Sequence, residues 1–101
     1  MKIEENTIIR DTIEVADVDN CNLTVYGICK VVHLINGSEL NCYGIINELH
    51  IENGCHANIY GIVNKIYNSG SVDIYGVIDS LNIDDVNIVI HTGSIISGKQ
   101  Y

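Results

Sequence analysis

The chain has 101 residues and a formal charge of −8, with thirteen acidic side chains against five basic ones. That length supports one domain with one core, and so acidic a surface argues against direct binding to nucleic-acid phosphate or anionic lipid. Apolar residues make up 47% of the chain without a single Phe, Trp or Pro; they are mainly Ile, Val and Leu, whose β-branched members suit a pleated strand.

From the amino terminus, residues 1–19 read MKIEENTIIRDTIEVADVD, with acids inside every short apolar run. A signal peptide's continuous apolar core is missing there, and no run of about 18 apolar residues occurs anywhere. These features predict a cytoplasmic protein that does not enter a membrane. Its four cysteines, Cys21, Cys29, Cys42 and Cys55, are then expected as reduced thiols. Ile8, Ile9, Ile13, Val15 and Val18 read as a partial coil at the amino-terminal end.

Residues 20–96 are a repeat. Tyr-Gly recurs at Tyr26, Tyr43, Tyr60 and Tyr75, spaced 17, 17 and 15 apart, and His91-Thr92 stands in for it once more. Before each anchor come alternating apolar pairs: Leu23 and Val25, Leu40 and Cys42, Ala57 and Ile59, Val72 and Ile74, Ile88 and Ile90. After the glycine come Ile28, Ile45, Ile62 and Val77, then Val32, Leu49, Ile66 and Leu81, then Leu34, Ile51, Asn68 and Ile83. These columns are expected to fill a core, with Asn68 the one polar member. The corners read Asp19-Asn20, Asn36-Gly37, Asn53-Gly54, Asn68-Ser69-Gly70 and Asp84-Asp85, residue types that tolerate positive φ.

Alternation of period two, with five to seven residues between bends, specifies strands and leaves no room for helices. Copies of 15–17 residues, each holding two or three short strands, predict an all-β single-domain parallel β-helix, a β-solenoid of about five to six coils over residues 1–101. Stacking about 4.8 Å per coil gives a rod of roughly 25–30 Å. The runner-up fold is a small β-sandwich, which does not require four aligned columns. Hexapeptide and pentapeptide solenoids require beats of six and five that are absent here. Residues 97–101 read as a short tail. No proline or helix caps the last copy, VNIVIHTGSIISGKQY, so its strand is expected as an exposed end.

The repeated pattern hydrophobic-x-V/I-Y-G-I/V-x-x-x-hydrophobic-x-hydrophobic-x-N-G resembles that of the bactofilins, bacterial polymer-forming solenoids, over residues 20–96. The resemblance implies a right-handed β-helix that polymerises end to end and scaffolds other proteins without nucleotide. Bactofilins carry flexible tails and more Gly and Val, whereas this chain has almost no tail and favours Asn and Ile.

Candidate chemistry is sparse. His33 and His50 share one outward column, about 5 Å apart, and with a third ligand could hold a divalent metal; an outward polar ladder is the simpler account. Cys42 replaces Val25 and Ile59 in an inward column, and Cys29 aligns with Ile46, Val63 and Ile78. Cys21 and Cys55 lie about 10 Å apart, beyond disulfide reach. None has the spacing of a zinc or redox site. No Ser-His-Asp arrangement, phosphate loop or carboxylate pair is present in a defined frame, so the reading is non-enzymatic, with no cofactor and no bound metal.

Tyr26, Tyr43, Tyr60 and Tyr75 are expected to point outward as a ladder. Such a ladder is exposed apolar surface of the kind that marks binding, although stacked side chains also stabilise one another without a partner. The leading functional expectation is a structural module forming a homo-oligomer through the terminal coil, at Ile88 and Ile90, or through the tyrosine face. The alternative is an acidic inhibitor or adaptor that imitates nucleic acid and binds a basic partner protein, using acids such as Glu39, Asp73, Asp79, Asp84 and Asp85.

Overall fold

The computed structural model describes residues 1–81 and 87–101; Asn82, Ile83, Asp84 and Asp85, which the repeat places in a column and a corner, lie outside them. Every helical or strand element among the described residues is a strand. In chain order they are β1 (Lys2–Ile3), β2 (Thr7–Ile9), β3 (Thr12–Asp19), β4 (Asn22–Val25), β5 (Ile28–Ile35), β6 (Glu39–Cys42) and β7 (Ile45–Ile51). Then come β8 (His56–Ile59), β9 (Ile62–Asn68), β10 (Ser71–Ile74), β11 (Val77–Leu81), β12 (Ile88–Ile90), β13 (Ile95–Ile96) and β14 (Lys99–Gln100). No helix among them is long and apolar enough to cross a membrane.

Each strand from β1 to β11 pairs in parallel with the strand two places on, which is the equivalent strand of the next coil. One sheet runs β2-β4-β6-β8-β10-β12, and the other runs β1-β3-β5-β7-β9-β11-β13 with β14 added antiparallel at its end. The chain is thus a parallel β-solenoid of about five turns, as the repeat predicts. The register carries the sequence columns over unchanged: Leu23, Leu40, Ala57, Val72 and Ile88 pair in sequence, as do Val25, Cys42, Ile59, Ile74 and Ile90. Except at the last coil these residues are fully buried, and together with Val32, Leu49, Ile66 and their neighbours they form one continuous core.

One column differs from expectation. Ile28, Ile45, Ile62 and Val77 face outward, and the buried column is Cys29, Ile46, Val63 and Ile78. Alternation runs straight through the glycine: Val25 is in, Tyr26 out, Gly27 at an inward position, Ile28 out, Cys29 in. The phase breaks later, where the pairing passes over one residue per coil, at Glu14, Lys30, Asn47, Asn64 and Asp79. Two consecutive residues there stay off the core side, and the strand bends. The outward side chains at this bend bond along the axis, Asn64 Nδ2 donating to Asn47 Oδ1 at 2.8 Å and Lys30 lying 3.5 Å from Glu14.

The glycine is needed at its inward position because successive coils touch there. A Cβ on Gly44 would collide with the Gly27 carbonyl, and one on Gly61 with that of Gly44. At the corners the expected positive φ occurs at Asn20 (53°), Asn36 (54°) and Gly37 (79°), and the Asn36 amide donates to Asp19 Oδ1 at 2.8 Å. Asn68, the polar member of its column, serves the shortened corner: its Oδ1 accepts the Gly70 N–H at 3.0 Å.

The carboxy terminus is not a tail. Ile95-Ile96 turns through Ser97 (φ 51°) and Gly98 (φ 79°) into Lys99-Gln100, an antiparallel hairpin with a two-residue loop of positive φ. The hairpin covers the last strand of its sheet. At this end β14 is therefore the edge strand of its sheet and β12 that of the other, and of the strands carrying the last repeat copy β12 alone is left at an edge.

Candidate interaction face

The outward residues on either side of the glycine column build the most distinctive surface. Tyr26, Tyr43, Tyr60 and Tyr75 stack with centroids 5.1, 4.9 and 4.8 Å apart and ring planes within about ten degrees of parallel. Both ends of the stack are closed by planar nitrogen groups. The Arg10 guanidinium lies 5.0 Å from the Tyr26 centroid, and the His91 imidazole stacks 3.9 Å from Tyr75. Such capping suits the negative faces of the rings. Because each ring turns its faces to its neighbours, its edge and hydroxyl are what solvent meets; Tyr26 is 50% exposed and Tyr75 41%.

Ile28, Ile45, Ile62 and Val77 form a second ladder beside the first, separated from it by bare glycine backbone. The two ladders enclose an open groove of about 680 Å³ that runs along the solenoid axis from Arg10 and Thr12 to Gly61 and Ile62. Around its middle rungs the flanking outward positions are amides, Asn41 and Asn58 on one side and Asn47 and Asn64 on the other. Asn58 Nδ2 donates to Asn41 Oδ1 at 3.1 Å. Charge appears only toward the ends. A chain of net charge −8 thus keeps acids off the middle rungs, with Asp11 beside Arg10 at one end of the groove, and depletion of charge with enrichment in Tyr is the compositional mark of an interface core.

The histidine column is also as expected in its direction. His33 and His50 meet edge to face at 4.8 Å, and His50 stacks on Tyr67 at 4.6 Å. His33 Nδ1 lies 3.0 Å from Asp17 Oδ1, while Glu48 is 4.0 Å from His50. Burial first and then the neighbouring His33 hold the His50 imidazole below its ordinary pKa of 6.5, against an opposing effect of Glu48. The described residues hold no group of three His, Cys, Asp or Glu side chains placed to bind a metal ion.

A cluster that the sequence columns do not reveal sits on the outer surface of the other sheet. Asp73 is held by two imidazoles, His56 Nε2 at 2.9 Å and His91 Nε2 at 3.2 Å, and His56 Nδ1 reaches Ser71 Oγ at 2.6 Å. These residues lie on three coils, so the carboxylate ties the last coil to the stack. Asp73 is therefore already partnered. Of the other acids that could imitate a phosphate backbone, Glu39 lies 3.4 Å from Asn58. His56 and Asp73 are 17 residues apart, but the shortened coil pairs His56 with Ser71 and Asp73 with Asn58, while His91 continues the tyrosine column, so the cluster runs diagonally across columns and column alignment misses it.

All four cysteines are free and buried. The Cys42 thiol is pushed up to about 12 by burial, and burial also raises Cys29 and Cys21. Ile88 packs half-buried against the core, whereas Ile90 is 36% exposed on the edge strand. In β12 the backbone groups of Val89 face β10, so those of Ile88 and Ile90 face away from it.

Comparison with known proteins adds nothing to this geometry: no family model, no curated protein and no solved structure matches the chain.

Proposed function

We propose that the protein is a non-catalytic structural module that self-associates through its tyrosine–isoleucine face. The observation that carries this reading is a continuous aromatic and aliphatic stripe, uncharged across its middle rungs, on a chain of net charge −8. Its exposed fractions amount to several hundred Å², approaching the ~800 Å² per partner of a stable interface. The bactofilin-like repeat style supports a scaffolding role in the same direction.

The face is a better contact than the ends. Sheet β1–β14 has eight strands and sheet β2–β12 has six. Copies stacked with β14 against the next β1 would leave β12 and β2 separated by the width of two absent strands. Among the described residues the two sheets end out of step, which favours the face over straight end-to-end growth through Ile88 and Ile90.

Sedimentation or light scattering over a concentration series tests the reading. The expected result is a mass that rises to at least a dimer. Tyr43→Lys with Tyr60→Lys, both at exposed positions, should weaken association by tenfold or more with the fold intact. A wild-type protein that stays monomeric at several hundred micromolar would remove the proposal.

A further inference from the structure

Building on that self-association, we infer that the contact is a parallel two-fold zipper, in which the isoleucine column of each copy enters the glycine-floored groove of the other. The groove dictates this through its width. Tyr26 and Ile28 are two residues apart, so their Cα atoms are separated by at most about 7 Å. That is the spacing of alternate side chains on one face of a strand, between which the tips of a facing sheet's side chains interdigitate in a dry zipper. The groove thus accepts a single column of side chains and nothing thicker.

The rungs dictate what that column is. The tyrosines repeat every 4.8–5.1 Å along the axis, and an occupant touching every rung must repeat with the same rise. The isoleucine ladder of a second copy does so by construction, since its strands pair in the same parallel register. Matched ladders packed dry against each other are the arrangement of a steric zipper.

Symmetry then selects the orientation. Rotation by 180° about a line parallel to the solenoid axis keeps the axis direction and reverses the lateral order of the columns. Displaced sideways by half a groove, both copies insert at once, and the order across the contact becomes tyrosine, the partner's isoleucine, isoleucine, the partner's tyrosine. Rotation about a line perpendicular to the axis gives an antiparallel pair instead. That pair sets tyrosine on tyrosine and isoleucine on isoleucine, tip to tip, and leaves both grooves unfilled. The contact is isologous in either case, and only the parallel form fills it.

Cross-linking separates the two. Ile28 lies near one end of its ladder and Val77 near the other, and both are exposed. The native thiols are buried, and all variants compared carry the same four. In the parallel zipper, Ile28→Cys meets the same residue of its partner, so oxidation should convert it mainly to a disulfide-linked dimer. A mixture of Ile28→Cys and Val77→Cys should give several-fold fewer heterodimers than homodimers. Predominant heterodimers would overturn the parallel arrangement, as would a protein that is dimeric by light scattering yet does not cross-link at Ile28. A monomer by scattering would overturn the self-association reading as well. Should Ile28→Cys disturb the fold by circular dichroism, Ile45→Cys against Ile62→Cys poses the same question at the middle rungs.

Discussion

A single methyl group shows how tightly the coils are wound at the residue scale. Alanine at Gly44 would place its Cβ against the Gly27 carbonyl, which is backbone and held by the Ile45 N–H at 3.0 Å, so it cannot rotate away. Gly37 is also glycine in a repeated position, but its surroundings are empty and only its φ of 79° resists a side chain. Overpacking of this kind costs up to ~3 kcal/mol, while a left-handed non-glycine residue costs about 1 kcal/mol. Urea denaturation of Gly44→Ala and Gly37→Ala should therefore rank the first well below the second. Equal losses would mean that the coils separate more easily at the glycine column than their packing indicates. A second residue, His50, links stability to pH. Its pKa is lowered in the fold, so as pH falls through 6.5 the unfolded chain takes up a proton before the folded one does. The resulting loss of stability is absent near pH 8 and grows below pH 6.5. His50→Tyr matches the Tyr67 of its own column and cannot titrate in this range. Its stability difference between pH 8 and pH 5.5 should be smaller than that of the wild type, and an unchanged difference would assign the pH effect to other groups.

At the scale of the strand and turn, what can be read from the sequence depends on whether the signal is repeated. The buried positions of β4, β6, β8 and β10 recur in every coil, and the register reproduces them pair by pair. The ladder of Tyr26, Tyr43, Tyr60 and Tyr75 is legible for the same reason. The Ile28 column is repeated too, yet its direction is not the one its position suggests. An apolar residue beside a glycine fits either phase of an alternation, and the bend that settles the phase falls at Lys30 and Asn47, which carry no turn residue type in common. The hairpin at Ser97 and Gly98 occurs once, so the columns are silent about it. Its signal is the Ser-Gly dipeptide between Ile95-Ile96 and Lys99-Gln100, a two-residue connection of the kind that joins antiparallel strands. Arg10 and His91 occupy the tyrosine column at its two ends, where the letter changes but planar stacking continues.

For the molecule as a whole, each coil touches only the coil before and the coil after, so stability is a sum of coil and nearest-neighbour contributions and opening should begin at an end. The cysteines sample that gradient. Cys21 is covered on its outer side by the two-residue strand β1, where its Sγ lies 3.5 Å from the Ile3 carbonyl, and it retains 9% exposure. Cys42 lies between Val25 and Ile59 in the middle of the stack, with no exposure and a thiol pushed up to about 12. Only the thiolate attacks a disulfide reagent. Cys42 therefore requires both coil separation and return of water before it can react, whereas release of β1 alone uncovers Cys21. Labelling the native protein with a thiol reagent at pH 8, followed by peptide mass spectrometry, should find Cys21 modified first and Cys42 among the last. Deleting Met1 to Ile3 should accelerate Cys21 by tenfold or more and leave Cys42 nearly unchanged. Identical rates at both sites would show that the solenoid opens as one cooperative unit, and fraying from the amino-terminal end would then be wrong.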